Sequence, residues 1–371
     1  MILLIPGPVM TRPEVRDALR YDFAPWDNDF RPLYNEIGRR VMAIAGGREG
    51  EHAALPLPGC GHFITEAVIR TFIPAGRKLL IPMTGAYADR MTRLAREAGR
   101  IPVLLPISPV LPADPAVIGA ALIADPEISH LGMVYSETGS GVVHDVPAIA
   151  AAARAVGRRV IVDAVSAFGA LPLDISAHPE IDAVVFTANK CLESVPGIAF
   201  AVARADRLAT AAGNAGSWSL DLADVYANAL RHPDGSARFT PPAQVLNALN
   251  TALGFHEAEG GQPARLGRYT ANMRTLYDGL RGLGLVPYLA PAVQGPVIVN
   301  IHAPADPAWN LQAFVDALKR RGYLISNFYN TEKPSFRVGC IGAITPTDMH
   351  GFVAAVDAVL TELCIGRRQA A

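Results

Sequence analysis

Residues 183–190 read Ala-Val-Val-Phe-Thr-Ala-Asn-Lys, an apolar run that ends in polar residues and a lysine. The four apolar side chains at its start predict a short buried strand. Upstream, Val160-Ile161-Val162-Asp163 has the same form, an apolar strand that ends in a carboxylate. Such runs alternate with helix-like stretches along the chain, which predicts an α/β fold with a mostly parallel sheet.

Apolar periodicity and Gly/Pro punctuation predict the remaining elements. Further strands are predicted at 78–82, 101–106, 130–135, 198–203, 297–302 and 336–338. Helices are predicted at 63–73, 86–98, 115–124, 147–156, 243–258, 263–283, 311–321 and 347–363. Residues 14–45 are expected to form helical segments broken around Pro25 and Pro32, and 213–240 to be irregular. We predict a large domain at 14–258 and a small domain made of 259–371 with residues 1–13 as an N-terminal arm.

Composition excludes several classes of protein. The chain has 371 residues, half of them hydrophobic, and a formal charge of −1. This indicates a globular protein and gives no electrostatic case for nucleic acid or for an anionic membrane. An uncharged apolar run of about 18 residues, the length needed to span a membrane, does not occur. The four cysteines lack CxxC spacing, which argues against zinc and favours the cytoplasm.

Lys190 stands out chemically because only four of the 33 basic residues are lysines. An arginine keeps its proton near neutral pH, whereas a desolvated lysine can lose it and attack a carbonyl. Pyridoxal phosphate (PLP) is the cofactor most often held in that way. Asp163 lies at a strand end, and its side chain supplies the carboxylate that such a cofactor needs beside its pyridine nitrogen. The alternatives are a surface lysine and a loop or capping aspartate.

A phosphate site is predicted at Gly59-Cys60-Gly61-His62, just before a predicted helix. Glycines allow close approach of a ligand, and a helix N-terminus offers free N–H groups. The segment lacks the Lys-Ser/Thr of a nucleotide P-loop and the third glycine of a dinucleotide site, so a monophosphate cofactor fits better. The alternative is an ordinary turn in which His62 caps the helix.

Three further side chains are candidates for the same site. Thr138 follows a strand and is a candidate for hydrogen bonding to the phenolic oxygen of the cofactor, or it is a turn residue. Tyr87 is a candidate for stacking on a planar ring, or it belongs to the core. Arg337 is a candidate for binding a carboxylate through its two-pronged guanidinium, or it is a surface charge. Cys191 and Cys340 are candidate nucleophiles, although lone cysteines are more often small buried hydrophobes.

The segment Thr187–Gly197 resembles the lysine-bearing segment of the 2-aminoethylphosphonate–pyruvate transaminase family. That family belongs to the class V group of fold-type I PLP-dependent aminotransferases. Matching segments run the length of the chain: Pro6-Gly7-Pro8, Trp26–Asp29, Gly85-Ala86-Tyr87, Ser136-Glu137-Thr138, Ile161–Ser166, Ser219–Leu222, Arg238-Phe239-Thr240 and Phe336–Gly339.

The resemblance implies a large PLP-binding domain, a smaller α+β domain and a set of residue roles. Lys190 would bind the cofactor covalently and carry a proton, and Asp163 would hold the pyridine nitrogen. The other implied cofactor contacts are Val165 below the ring, Tyr87 above it, Thr138 at the ring hydroxyl, and Cys60, Gly61 and His62 at the phosphate. Thr240 would reach the phosphate of a neighbouring subunit, which implies a homodimer with shared active sites. Arg337 would bind the substrate carboxylate.

The implied activity moves the amino group of 2-aminoethylphosphonate to pyruvate, giving phosphonoacetaldehyde and alanine. The phosphate segment departs from the Gly-Ser-Gly-Ser of the family, and its histidine is more similar to alanine– and serine–glyoxylate aminotransferases. Such an enzyme, acting on a different amine pair, is therefore the first alternative. A PLP lyase or cysteine desulfurase is the second, and a non-enzymatic binding protein is the third.

Overall fold

The computed structural model describes residues 1–329 and 331–366. The strands are β1 (Ile2–Leu3), β2 (His52–Gly59), β3 (Lys78–Met83), β4 (Ile101–Pro106), β5 (Ile128–Val134), β6 (Arg159–Asp163), β7 (Ile181–Thr187), β8 (Gly197–Arg204), β9 (Ile298–His302), β10 (Tyr323–Leu324) and β11 (Ser335–Gly339). The helices are α1 (Pro13–Asp17), α2 (Phe30–Ile44), α3 (Gly61–Phe72), α4 (Ala86–Glu97), α5 (Pro115–Ala124), α6 (Val146–Ala155), α7 (Ala205–Thr210), α8 (Leu222–Arg231), α9 (Ala243–Glu259), α10 (Gly261–Gly282), α11 (Leu311–Arg320) and α12 (Pro346–Glu362).

A seven-stranded sheet with the order β2-β8-β7-β6-β5-β3-β4 forms the centre of the molecule. The strands from β7 to β4 are parallel, and β8 and β2 add an antiparallel edge. The central residues of β6 and β7, Val160–Val162 and Ala183–Phe186, are apolar because helices cover both faces of the sheet. The prediction of an α/β fold with a mostly parallel sheet is confirmed.

The register of the sheet brings the functional strand ends together. Asp163 at the end of β6 lies beside Val134 of β5 and Val185 of β7. The carboxyl ends of β5, β6 and β7 therefore meet at one edge, where open α/β sheets bind ligands.

Two local predictions were wrong and the strand β2 was missed, each for a physical reason. Pro32 does not break a helix, because it is the third residue of α2, where its missing N–H would be unpaired anyway. The region 213–240 contains α8, whose start is capped by the Asp221 carboxylate, which accepts from the N–H groups of Ala223 and Asp224. The strand β2 was not predicted because it contains two prolines, which an edge strand tolerates.

A second core lies in the C-terminal part of the chain. The antiparallel pair β9–β11 packs with α10, α11 and α12, and Leu4 from the N-terminus is buried in the same apolar cluster. The backbone of Leu4 donates to Leu324 O at 2.8 Å and accepts from Gly339 N at 2.8 Å. This separation of cores supports the predicted division at 258, which stays a prediction.

Within residues 1–329 and 331–366, helices long and apolar enough to cross a membrane are absent.

Candidate active site

A cavity of about 170 Å³ opens at the carboxyl edge of the large sheet. Its wall combines strand ends, the start of α3 and the first turns of α4. The lining residues are Cys60, Gly61, His62, Thr65, Tyr87, Arg90, Met91, Leu94, Asp163, Val165, Thr187, Asn189 and Lys190. Seven of the ten residues predicted from the sequence are among them, so distant segments of the chain meet here.

Lys190 lies on the loop after β7, with its amine in the cavity wall. Its Nζ donates to the backbone oxygen of Pro6 at 2.9 Å. Burial lowers the pKa of Lys190 from 10.5 to about 8, because the charged amine loses hydration. The N-terminal segment thus covers a lysine whose amine is neutral in a substantial fraction of molecules just above neutral pH.

Asp163 ends β6 and lines the same cavity. One carboxylate oxygen accepts from the backbone N–H of Val165 at 3.0 Å. Burial raises the pKa of Asp163 to about 6, while this hydrogen bond and the nearby Lys190 lower it. The carboxylate is therefore ionised at neutral pH, and its second oxygen is available to a cationic donor such as a pyridinium N–H.

The start of α3 forms the second side of the cavity. Cys60 is the N-cap residue but makes no side-chain capping bond, so its helix start presents uncapped N–H groups to the cavity. A Cβ on Gly61 would lie 3.1 Å from Cγ2 of Val165, so glycine allows this close approach. Burial and Arg90 lower the pKa of His62, which is therefore a neutral side chain. An anion is the ligand that this helix end favours.

Tyr87 stands in the first turn of α4 and lines the cavity. Arg90, one turn later, stacks on the Tyr87 ring at 4.9 Å. Tyr87 and Val165 both line the cavity, as a stacked planar ring would require.

Thr138 and Arg337 lie next to each other rather than in the cavity wall. Nη1 of the buried Arg337 donates to the backbone oxygen of Thr138 at 3.0 Å, and its Nε reaches Ser326 Oγ at 3.4 Å. Burial lowers the pKa of Arg337. Nη1 is thus bound to the loop after β5, and the guanidinium N–H groups that remain can bind an incoming carboxylate.

Thr240 is exposed and lies outside the cavity of its own chain. Its predicted contact with the phosphate belongs to a second subunit, so a single chain leaves that role a prediction.

Two residues that the sequence did not single out are part of the site. Glu137 is buried and accepts from the backbone N–H groups of Gly139 at 2.9 Å and Tyr87 at 3.3 Å. Burial raises the pKa of Glu137 to about 7. Thr187 ends β7, and its buried Oγ1 has no partner among the described residues. A polar residue at the carboxyl end of a buried strand was the signal available for both.

These residues fit PLP. The Lys190 amine in the cavity can lose its proton, and Asp163 supplies a carboxylate for the ring nitrogen. The uncapped start of α3 suits the phosphate. The orphaned hydroxyl of Thr187 supplies one further hydrogen-bonding group. When bound, PLP supplies an aldehyde carbon and an electron-withdrawing ring.

Comparison with known proteins agrees with this chemistry. Residues 59–321 match the family Aminotransferase class-V. The chain is 42% identical over 368 residues to a 2-aminoethylphosphonate–pyruvate transaminase of Burkholderia ambifaria (strain MC40-6), covering 99% of this chain and 98% of that protein. It is also 42% identical over 367 residues to the protein of that name from Burkholderia pseudomallei (strain K96243), with the same coverage.

Solved structures share the fold. Pyridoxamine-pyruvate aminotransferase from Mesorhizobium loti has a TM-score of 0.89 at 23% identity, covering 99% of this chain and 93% of that one. An aspartate aminotransferase of subgroup IV from Thermus thermophilus has a TM-score of 0.84 at 22% identity, covering 98% and 100%. At this identity the likeness concerns the fold alone.

Proposed function

Since the chain belongs to the aminotransferase class-V family, we propose that it transfers the amino group of 2-aminoethylphosphonate to pyruvate. The products are phosphonoacetaldehyde and alanine, and PLP is the cofactor. The observation that carries the proposal is the full-length similarity to transaminases of that name. The meeting of Lys190 and Asp163 in one cavity supports the chemistry.

Lys190 acts as the covalent anchor and as the base. With PLP bound, its Nζ would be placed to take the proton from the substrate carbon that bears the nitrogen and to return a proton on the cofactor side. A pKa of about 8 suits both steps, because the amine can lose and regain a proton near neutral pH.

Asp163 would hold the ring nitrogen of PLP and keep it protonated, and the protonated ring would supply the electron withdrawal on which proton removal depends. The Val165 N–H bond orients the carboxylate. Tyr87 and Val165 would enclose the ring, and Thr138 would bind the ring hydroxyl. Cys60, Gly61 and His62 would hold the phosphate at the start of α3. Arg337 binds the carboxylate of pyruvate or alanine.

The direct test incubates purified enzyme and PLP with one of three amino donors: 2-aminoethylphosphonate, serine or alanine. Each donor is tested with pyruvate and with glyoxylate as the acceptor. We expect alanine from the phosphonate and pyruvate, with ping-pong kinetics, and no activity in Lys190→Ala. Activity only with serine or alanine and glyoxylate would overturn the choice of donor. The relatives do not favour that alternative.

A cysteine desulfurase is disfavoured by the environment of the two candidate thiols. Cys191 and Cys340 are both fully buried. Burial raises the pKa of Cys191 to about 12 and raises that of Cys340 strongly, so neither is a thiolate nucleophile.

The proposal includes two further points. The protein forms a homodimer whose subunits share their active sites, and it is located in the cytoplasm. Trp218 and Phe239 are 71% and 41% exposed, stack edge to face at 5.0 Å, and lie beside the exposed Thr240. Exposed aromatic pairs of this kind are typical of subunit contacts. The free thiols of all four cysteines support a reducing compartment.

Subunit mixing tests the shared site. Thr240→Asp places a negative charge where the partner's phosphate would bind, and Lys190→Ala removes the anchor. Each variant is expected to be inactive, but their mixture should recover about a quarter of wild-type activity, because half the dimers contain one intact site. A mixture as inactive as its components, in a sample shown to exchange subunits, would contradict sharing.

A further inference from the structure

Glu193 is in an unusual conformation three residues after Lys190. Its φ is +59°, and its N–H donates to Lys190 O at 2.9 Å, which closes a turn around the lysine. Non-glycine residues adopt positive φ at a cost and keep it only where surrounding contacts hold them there. The carboxylate is buried, so those contacts are internal to the protein.

The Glu193 carboxylate is bound by α10. Its Oε1 accepts from Arg268 Nη2 at 2.6 Å and from Tyr269 OH at 2.7 Å. Nη1 of Arg265 lies 3.5 Å from the same oxygen. Arg265 also donates to Cys191 O at 2.6 Å, on the residue that directly follows Lys190. Burial raises the pKa of Tyr269 well above 10, so its hydroxyl stays a donor to Glu193.

The same helix side chains bind the segment that follows Arg337. Arg268 Nη1 donates to Gly342 O at 2.6 Å and Ile344 O at 2.9 Å. Tyr269 OH accepts from Gly342 N at 3.3 Å. Gly342 follows β11, the strand that contains Arg337. Two side chains of α10 thus contact both the lysine loop and the end of the arginine strand.

We propose that Glu193, Arg268 and Tyr269 form a positioning node that fixes Lys190 relative to Arg337. The node rests on the proposed function in one respect, namely that Lys190 binds the cofactor and Arg337 the substrate carboxylate. Charged donors and a buried acceptor make these the strong type of hydrogen bond, so the distance between the two functional groups is set by α10. A substrate carboxylate bound at Arg337 then meets the lysine at a fixed position.

The chain offers a matched pair of variants on α10. Tyr269→Phe removes the hydroxyl that joins Glu193 to Gly342. Tyr277→Phe removes a buried hydroxyl from the same helix, one that donates to Leu289 O at 2.9 Å and touches neither loop. Tyr277→Phe loses one buried hydrogen bond, whereas Tyr269→Phe loses the bonds to Glu193 and Gly342, so some extra loss of stability is expected in Tyr269→Phe. The comparison therefore depends on the cofactor and kinetic measurements, which a loss of stability alone should not change. Arg268→Lys is the second variant of the node. It keeps the positive charge, but a lysine amine cannot replace the guanidinium that binds Glu193 through Nη2 and Gly342 through Nη1.

Three measurements are made on holoenzyme: the pH midpoint of the visible band of the lysine-bound cofactor, the PLP dissociation constant, and kcat and KM for pyruvate. In Tyr269→Phe and Arg268→Lys we expect the pH midpoint to move by about half a unit or more. We expect kcat/KM for pyruvate to fall roughly five- to tenfold. Tyr277→Phe should match the wild type in all three.

Equal behaviour of Tyr269→Phe and Tyr277→Phe, with a wild-type visible band in both, would overturn the positioning role. A wild type that forms no visible band with PLP would instead refute the proposed function, so the two failures are distinguishable. If Tyr269→Phe loses stability but keeps the wild-type midpoint and kcat/KM, the node is only structural and the inference is wrong.

Discussion

Gly7→Ala tests how the N-terminal segment holds Lys190. Gly7 has φ +145°, and a Cβ built there would lie 2.6 Å from Lys190 Cε and closer still to Nζ. Carbon atoms in contact prefer about 3.5 to 4 Å, so either the backbone or the lysine must move. The alanine is strained even before this contact, because L side chains rarely adopt such a φ.

The cost follows from two contributions. A non-glycine residue in this part of φ/ψ space costs about 1–3 kcal/mol. An extra carbon forced into a packed site costs about 1–3 kcal/mol more. The free energy of unfolding should therefore fall by about 2–6 kcal/mol if Lys190 stays in place. If Lys190 moves instead, the stability loss is smaller, but Nζ loses its 2.9 Å bond to Pro6 O and its position in the cavity.

Urea unfolding of the apo-protein measures the first outcome, and titration with PLP, followed by visible absorbance, measures the second. Gly76→Ala is the control, because Gly76 has φ +74° but no atom within 4 Å of its built Cβ. We expect Gly7→Ala to unfold at lower urea than Gly76→Ala and to bind PLP at least tenfold more weakly. Wild-type PLP affinity with the stability of Gly76→Ala would refute the reasoning.

Other predictions concern the acids and the exposed thiol of the site. Asp163→Asn should weaken PLP binding yet raise the apo-protein's melting temperature above about pH 6. The native pKa of Asp163 is raised to about 6, so the wild type loses stability as pH rises from about 4 to 6 and the variant does not; equal pH profiles of melting would contradict this. Glu137→Gln should cost about 1–3 kcal/mol of stability at pH 8, because one amide oxygen cannot accept from both Gly139 and Tyr87; an unchanged urea midpoint would count against it. The exposed Cys60 should react with a thiol reagent in the apo-protein and be protected by PLP, unlike Cys364, which is exposed elsewhere; equal rates with and without PLP would place the phosphate away from α3.

Local sequence patterns were sufficient for most of the fold. The apolar runs at 183–186 and 160–162 are buried strands in the structure, because a strand covered on both faces has to be apolar throughout. The helices from α3 onward were predicted within a few residues except α7 and α8. α7 has only 6 residues, and α8 is amphipathic but lies within a polar, Gly-rich stretch that was predicted to be irregular. The edge strand β2 could not be predicted, since its prolines are tolerated only at an edge, and edge position is a property of the whole sheet.

Within the site, the sequence by itself determined which side chains are candidates for the chemistry. A lysine that can lose its proton and an acid at a strand end can be recognised from the sequence, because strand ends and their polar residues are local features. In the structure, Lys190, Asp163, Tyr87 and the start of α3 line one cavity.

Only the tertiary structure decided how those groups are held. The Pro6 contact to Lys190, the Glu137 carboxylate beneath Tyr87 and the Glu193 node on α10 join segments up to 184 positions apart in the chain. Burial, which lowers the pKa of Lys190 and raises that of Asp163, likewise depends on what packs around a residue. Residue type is fixed by sequence, whereas distance and desolvation are fixed by the packing of elements that no local pattern brings together.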